Sequence, residues 1–198
     1  MNDNQFPLQK WRIVGFTALV VGTMVSCLWI LYGIDELGMR MAIRATGRSS
    51  CLLFIGAFVA SSLRKLWSTP FSVWLLKNRR YLGVSMAISH TYHAIALFGL
   101  WLVTSGAAPK IEPLGTFGYM LLIAMTVTSF DRPASLLGKR GWKILHATGM
   151  HFLWLGLLFE YSFRFPQSPF IYSPFVVLLV VAMILRFAAS KIPKKLSC

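Results

Sequence analysis

Apolar residues in this chain gather in long runs separated by short basic clusters. Six runs stand out, at 11–32, 49–63, 81–103, 117–130, 144–163 and 175–189. At about 1.5 Å of rise per residue, roughly 20 helical residues cross the apolar core of a bilayer. The pattern predicts an all-α integral membrane protein, a bundle of about six transmembrane helices. Segment 33–48 is different: Arg40, Arg44 and Arg48 recur every four residues among Met39, Met41, Ala42 and Ile43. That spacing predicts a short amphipathic helix lying on the outer surface. Segments 66–80, 104–116, 131–143 and 164–173 read as loops. The prolines at 166, 169 and 174 argue against helix in the last of them. Aromatics near the run ends, such as Trp11, Trp29, Trp67, Tyr81, Trp142 and Tyr172, fit interfacial belts.

Composition agrees with the pattern. Only 13% of residues are charged against 56% hydrophobic, and the mean hydropathy is +0.63; soluble domains carry about 25% charged residues. The 198 residues accommodate a single transmembrane domain, 1–198, and no separate soluble one. No small-residue cleavage site follows the first run, so it reads as a span and not a removable leader.

The net charge of +14 would suit a nucleic-acid binder if it formed one continuous face. Instead the cations sort by loop, and no nucleic-acid partner is expected. With six spans, 15 of the 20 Lys and Arg fall on one side, among them Arg64, Lys65, Arg79, Arg80, Arg140 and Lys191. The other side holds Arg40, Arg44, Arg48, Lys110 and Arg164. The excess marks the first side as cytoplasmic, with both termini on it. The expected location is the cell inner (plasma) membrane, multi-pass, with lipid as the surrounding partner.

The three cysteines, Cys27, Cys51 and Cys198, have no metal-type spacing. A Cys27–Cys51 disulfide is sterically conceivable, but packing as small residues is the expected role.

Ionisable residues inside spans are costly and mark functional candidates. Here they are His90, His93, His146 and His151, with Glu160 near the outer end of the fifth run. All four histidines fall on the third and fifth runs, which cross in the same direction. Counted from Arg80 and Lys143, His93 lies about 20 Å deep and His151 about 12 Å deep. His90 or His93 is thus expected to face His151, with His146 near the cytoplasmic rim. Two imidazoles across such a gap suit the axial positions of a haem b. They equally suit hydrogen bonding between helices, and zinc would lack further ligands nearby. His146 and His151 differ by about 140° around their helix, so they do not face one haem edge together. Arg79 and Arg80 are placed to pair haem carboxylates or, more simply, to anchor lipid phosphates.

Three stretches carry a resemblance. They are "ATGRSSCLLFIGAFVASSLRKL" in the second run, "RRYLGVSMAISHTYH" opening the third, and "TVTSFDRPASLLGKRGWKILH" leading into the fifth. Their order over about 46–160 resembles the ferric-reductase-like transmembrane domain family, and within it the haem-binding membrane subunits of the MsrQ type. The resemblance implies haem b and electron transfer across the membrane. It also implies a separate donor and a separate acceptor protein, with quinone or flavin supplied through a partner. His93 and His146 fall on family histidines. The family's second histidine of the fifth span corresponds here to Phe159, which breaks the usual axial pair. His151 is then the expected partner of His93, with His90 and His146 as alternates and one, two or no haems. The alternative is a haem-less family member that acts as a membrane scaffold or assembly factor. No phosphate-binding loop or dinucleotide glycine pattern occurs, so electrons must come from another protein.

Overall fold

A computed structural model describes residues 6–109 and 112–192. Among these residues there are six α-helices and no strand. They are α1 (Trp11–Tyr32), α2 (Glu36–Leu66), α3 (Pro70–Val103), α4 (Pro113–Val127), α5 (Asp131–Arg164) and α6 (Pro169–Lys191). The protein is an all-α multi-pass membrane bundle. α1, α2, α3 and α6 are each long and apolar enough to cross a bilayer.

α4 and α5 do not meet that standard singly, which revises the expected count of six. α4 has 15 residues, or about 22 Å of helix against an apolar core of about 30 Å. Taken together the two pass, with a bend of 109° between them. Their contacts run in opposite order: Gly118 faces Phe152 and Leu153, while Thr128 meets His146. They are therefore an antiparallel hairpin.

Three expected loops are helical instead, and the expected surface helix is part of a longer one. The segment 33–48 is not a separate surface helix, because α2 runs unbroken through it. Asp35 caps α2, its side chain accepting from the amide of Gly38 at 3.0 Å, and no proline follows before Leu66. α3 starts ten residues before Arg80. Thr69 and Ser72 form a capping box there, and Pro70 occupies the first turn, where its missing N–H costs nothing. Segment 131–143 is the start of α5, kinked at Gly138, whose φ of 66° lies in the left-handed region. Segment 164–173 is a 3₁₀ turn, Phe165–Gln167, followed by α6, which begins on Pro169 and accommodates Pro174.

α2 is central. It packs most extensively on α3 and also touches α1 and α6, while α5 leans on α6. Its fully buried Phe54, Phe58, Cys51 and Ala60 meet Leu82 and Met86 of α3 and Leu179 of α6 in the main core. Hydroxyls bind α2 to α3: Ser89 Oγ lies 2.7 Å from Ser49 Oγ and 2.9 Å from Ser50 Oγ. Small polar residues of this kind hold helices together where the hydrophobic effect is absent. The bundle ends are marked by Trp11, which stacks on Phe130 at 5.8 Å and meets Tyr81 edge-on. These rings, the end of α2 and the end of α6 form one basic end, where Lys65 Nζ reaches the carbonyl of Ala189 at 2.7 Å. Arg48 over the Tyr172 ring and the Glu160–Arg164 ion pair lie toward the opposite end.

Cys27 is exposed and Cys51 fully buried, and both are free thiols, so the disulfide does not form. Cys198 lies outside the described residues.

Candidate functional site

Three of the four histidines occupy two levels, His90 and His93 at one and His146 at the other. The upper level is built by α2 and α3. His93 points its Nδ1 at α2, 3.0 Å from the carbonyl oxygen of Ile43 and 3.1 Å from Thr46 Oγ1. Thr46 is fully buried and its hydroxyl is 2.7 Å from the carbonyl of Ala42. A carbonyl only accepts, so Nδ1 carries the proton. The single hydroxyl proton of Thr46 goes to Ala42, leaving its lone pair toward His93. The two oxygens facing Nδ1 suit the Nδ1–H tautomer, in which Nε2 carries no proton. Metal-ligating histidines adopt the same arrangement, the other ring N–H donating to a carbonyl. Gly47 lies beside the ring, 3.6 Å from a Cβ built there to His93 Cε1.

His90 stacks on His93, with ring centroids 5.0 Å apart, and meets the Tyr119 ring of α4 at 4.9 Å. His90 Nδ1 and the Tyr119 hydroxyl are buried without a hydrogen-bond partner. Two orphaned polar atoms beside His93 are the mark of a place that takes water or a ligand group.

The lower level faces the basic end. A cavity of about 620 Å³ opens there, within the range of about 300–1,000 Å³ usual for cofactor sites. α3 and α5 do not pack closely on each other among the described residues, and this cavity lies between them. Met86, Leu122, Met125, Met150 and Leu153 form its apolar wall, and His146 is its one imidazole. Lys77, Arg79, Arg80, Lys143 and Arg186 surround the mouth with Asp131 as the single carboxylate. Arg80 spends part of its charge on Asp131 at 3.2 Å, and Arg186 donates to the carbonyl of Phe58 at 2.9 Å. Arg79 is exposed.

His146 is held differently from His93. Its Nε2 lies 3.1 Å from Thr128 Oγ1, whose own proton goes to Ala124 O at 2.7 Å. The ring stacks on Trp142 at 4.1 Å, and Trp142 Nε1 donates to the carbonyl of Thr128. A ligand taking His146 through Nε2 would have to displace Thr128.

His151 Nδ1 donates to the carbonyl of Ala147 at 2.7 Å, and its ring meets Phe58 edge-on at 5.9 Å. Phe58 and Thr46 are twelve residues apart on α2, about 18 Å of rise. The structure therefore sets His151 well below His93 and does not bring the two together. Depth counted separately on α3 and α5 missed this offset, because the two helices do not start at one level. Phe159 is 62% exposed and stacks on Phe163. It stands nine residues, or about 180° around the helix, from cavity-lining Met150.

Among the described residues no three His, Cys, Asp or Glu side chains gather to hold a bare metal ion. A porphyrin needs only one or two axial ligands from the protein. The donor set, the apolar gap and the cationic mouth fit a flat, carboxylate-bearing macrocycle and do not fit zinc.

Comparison with known proteins finds similar chains. The chain is 26% identical over 159 residues to the protein-methionine-sulfoxide reductase heme-binding subunit MsrQ of Cronobacter sakazakii, covering 69% of this chain and 77% of that protein. The subunit of the same name from Polaromonas naphthalenivorans is 25% identical over 191 residues, covering 89% and 85%. That from Salmonella enteritidis is 25% identical over 185 residues, covering 81% and 86%. The similarity thus extends over most of the membrane domain. No family model and no solved structure matches the chain.

Proposed function

We propose that this protein is a haem b-binding membrane subunit that relays electrons across the bilayer, from a donor at the basic end to an acceptor at the other. The observation that carries the reading is His93: its Nδ1 proton is anchored on Ile43 and Thr46, and its Nε2 is left for a metal. The relatives named as heme-binding subunits support it. His93 would bind iron at the upper level. At the lower level His146 would serve as ligand, with Arg79 and Arg80 holding carboxylates. His151 stands between these levels, and His90 packs against His93 without ligating. A haem bound at either level supplies one-electron chemistry. The protein's own contribution is to place redox groups at two depths and to exclude water from the apolar wall.

The basic end is the cytoplasmic side of the inner membrane by the excess of cations there. Donor and acceptor are separate proteins. The relatives' name makes a protein-methionine-sulfoxide reductase the acceptor of choice, and quinone or a flavoprotein would supply electrons.

The direct test is an absorption spectrum of detergent-purified protein made with haem supplied, before and after dithionite. A Soret band with a sharp reduced α band is the expected result. Phe159, at the place of a family histidine, favours a second reading, a haem-less scaffold. A folded, colourless protein that takes up no haem would establish that reading instead.

A further inference from the structure

We propose that Thr46 is a positioning residue: together with the Ile43 carbonyl it fixes His93 as the Nδ1–H tautomer and presents Nε2 as the ligand. The inference rests on the assignment of His93 to iron for its consequence, but not for its geometry.

Thr46 is fully buried on the α2 face that meets α3. Its Oγ1 stands 2.7 Å from Ala42 O, 3.2 Å from Ile43 O and 3.1 Å from His93 Nδ1. A hydroxyl has one proton, and the shortest of these contacts takes it. The lone pairs left over are aimed at His93. The other acceptor, Ile43 O, is 3.0 Å from the same ring nitrogen. Two acceptors converge on Nδ1, so the Nε2–H tautomer would face them with a lone pair and is disfavoured. The backbone carbonyl is set by the helix, whereas the hydroxyl depends on a side chain. The ring lies against α2 beside Gly47, where a Cβ would sit in ordinary van der Waals contact, 3.6 Å from His93 Cε1. Thr46 and the Ile43 carbonyl thus act as the seat of an imidazole from the neighbouring helix. Nδ1–H donation to two oxygens makes the imidazole a stronger electron donor at Nε2, which favours ferric over ferrous iron.

The test is substitution of Thr46 by valine, which keeps the shape in a packed site, and by serine, which keeps the hydroxyl. In ¹⁵N-histidine-labelled protein, with the His93 signal assigned by its loss in His93→Ala, wild type should show the Nδ1–H form. Thr46→Val should raise the Nε2–H form about fivefold, the effect of one hydrogen bond, and Thr46→Ser should restore the wild-type pattern. With haem bound, Thr46→Val should loosen the haem by about 10- to 100-fold and raise its midpoint potential, with Thr46→Ser again near wild type. An Nε2–H form in wild type, or a Thr46→Val protein whose ring signals match wild type, overturns the inference whether or not haem binds. The predicted ring signals in a protein that takes up no haem uphold it and overturn the haem reading instead.

Discussion

His93 of α3 gives its Nδ1 proton to the carbonyl of Ile43 on α2, 3.0 Å away. The bond crosses between two helices, so the ring direction is set by the bundle and not by α3 alone. Removing the ring and removing its stacking neighbour should therefore differ. His93→Ala is expected to abolish the haem spectrum of the upper level. His90→Phe keeps an aromatic ring against His93 and removes a buried, unpartnered Nδ1. It should keep that spectrum and melt at or above wild type, because deleting an unsatisfied polar atom is nearly neutral or stabilising. Spectra and melting curves of the two variants in detergent check this.

Arg79 lines the mouth of the lower cavity and is exposed. Arg79→Ala should leave the melting temperature of the ligand-free protein unchanged, since an exposed charge adds little stability. It should weaken retention of a carboxylate-bearing ligand by roughly tenfold or more, the worth of a charged hydrogen bond. Haem titration of the variant measures the second effect apart from the first.

The glycines divide into tight and open positions. A Cβ at Gly38 would meet the carbonyl oxygen of Gly33 at 1.8 Å, a backbone atom with no room to retreat. At Gly156 nothing lies within 4 Å. Gly38→Ala should destabilise the α1–α2 turn by about 3 kcal/mol. Gly156→Ala should be neutral or stabilise by roughly 0.5–1 kcal/mol through helix propensity. Thermal denaturation of both variants decides it.

Topology has its own check. Cys51 is fully buried and Cys27 lies within α1. In a Cys27→Ser variant, an impermeant maleimide should label Cys198 only in inside-out membrane vesicles. Labelling of Cys198 from the outer side would reverse the assignment of the basic end.

Much of the fold is legible in the order of residues. The first apolar run and α1 share the bounds Trp11–Tyr32. The ends of α2 and α3 were less legible, because hydropathy marks where a helix meets lipid and not where it stops. The signals that set those ends were Asp35 before Glu36 and Thr69 before Pro70, caps that work equally well outside the membrane. Gly138 was another such signal. Its left-handed backbone lets one helix continue around a corner, where a count of charges read a loop. The histidines were legible as candidates, since few other ionisable groups enter the apolar runs. Their levels were not, because depth along two helices can be compared only through a third. α2 is that third helix, and it sets Thr46 beside His93 and Phe58 beside His151. Thr46 itself carried no signal of its own beyond the Thr-Gly pair, as one hydroxyl just ahead of the second apolar run.

Electron passage through the bilayer can be measured in sealed vesicles. Haem-loaded protein is reconstituted with a membrane-impermeant oxidant trapped inside, and a membrane-impermeant reductant is added outside. Reduction of the trapped oxidant is expected at a rate that falls to that of protein-free vesicles in His93→Ala. A wild-type protein that holds haem yet passes no electrons, or a His93→Ala variant as fast as wild type, would contradict it.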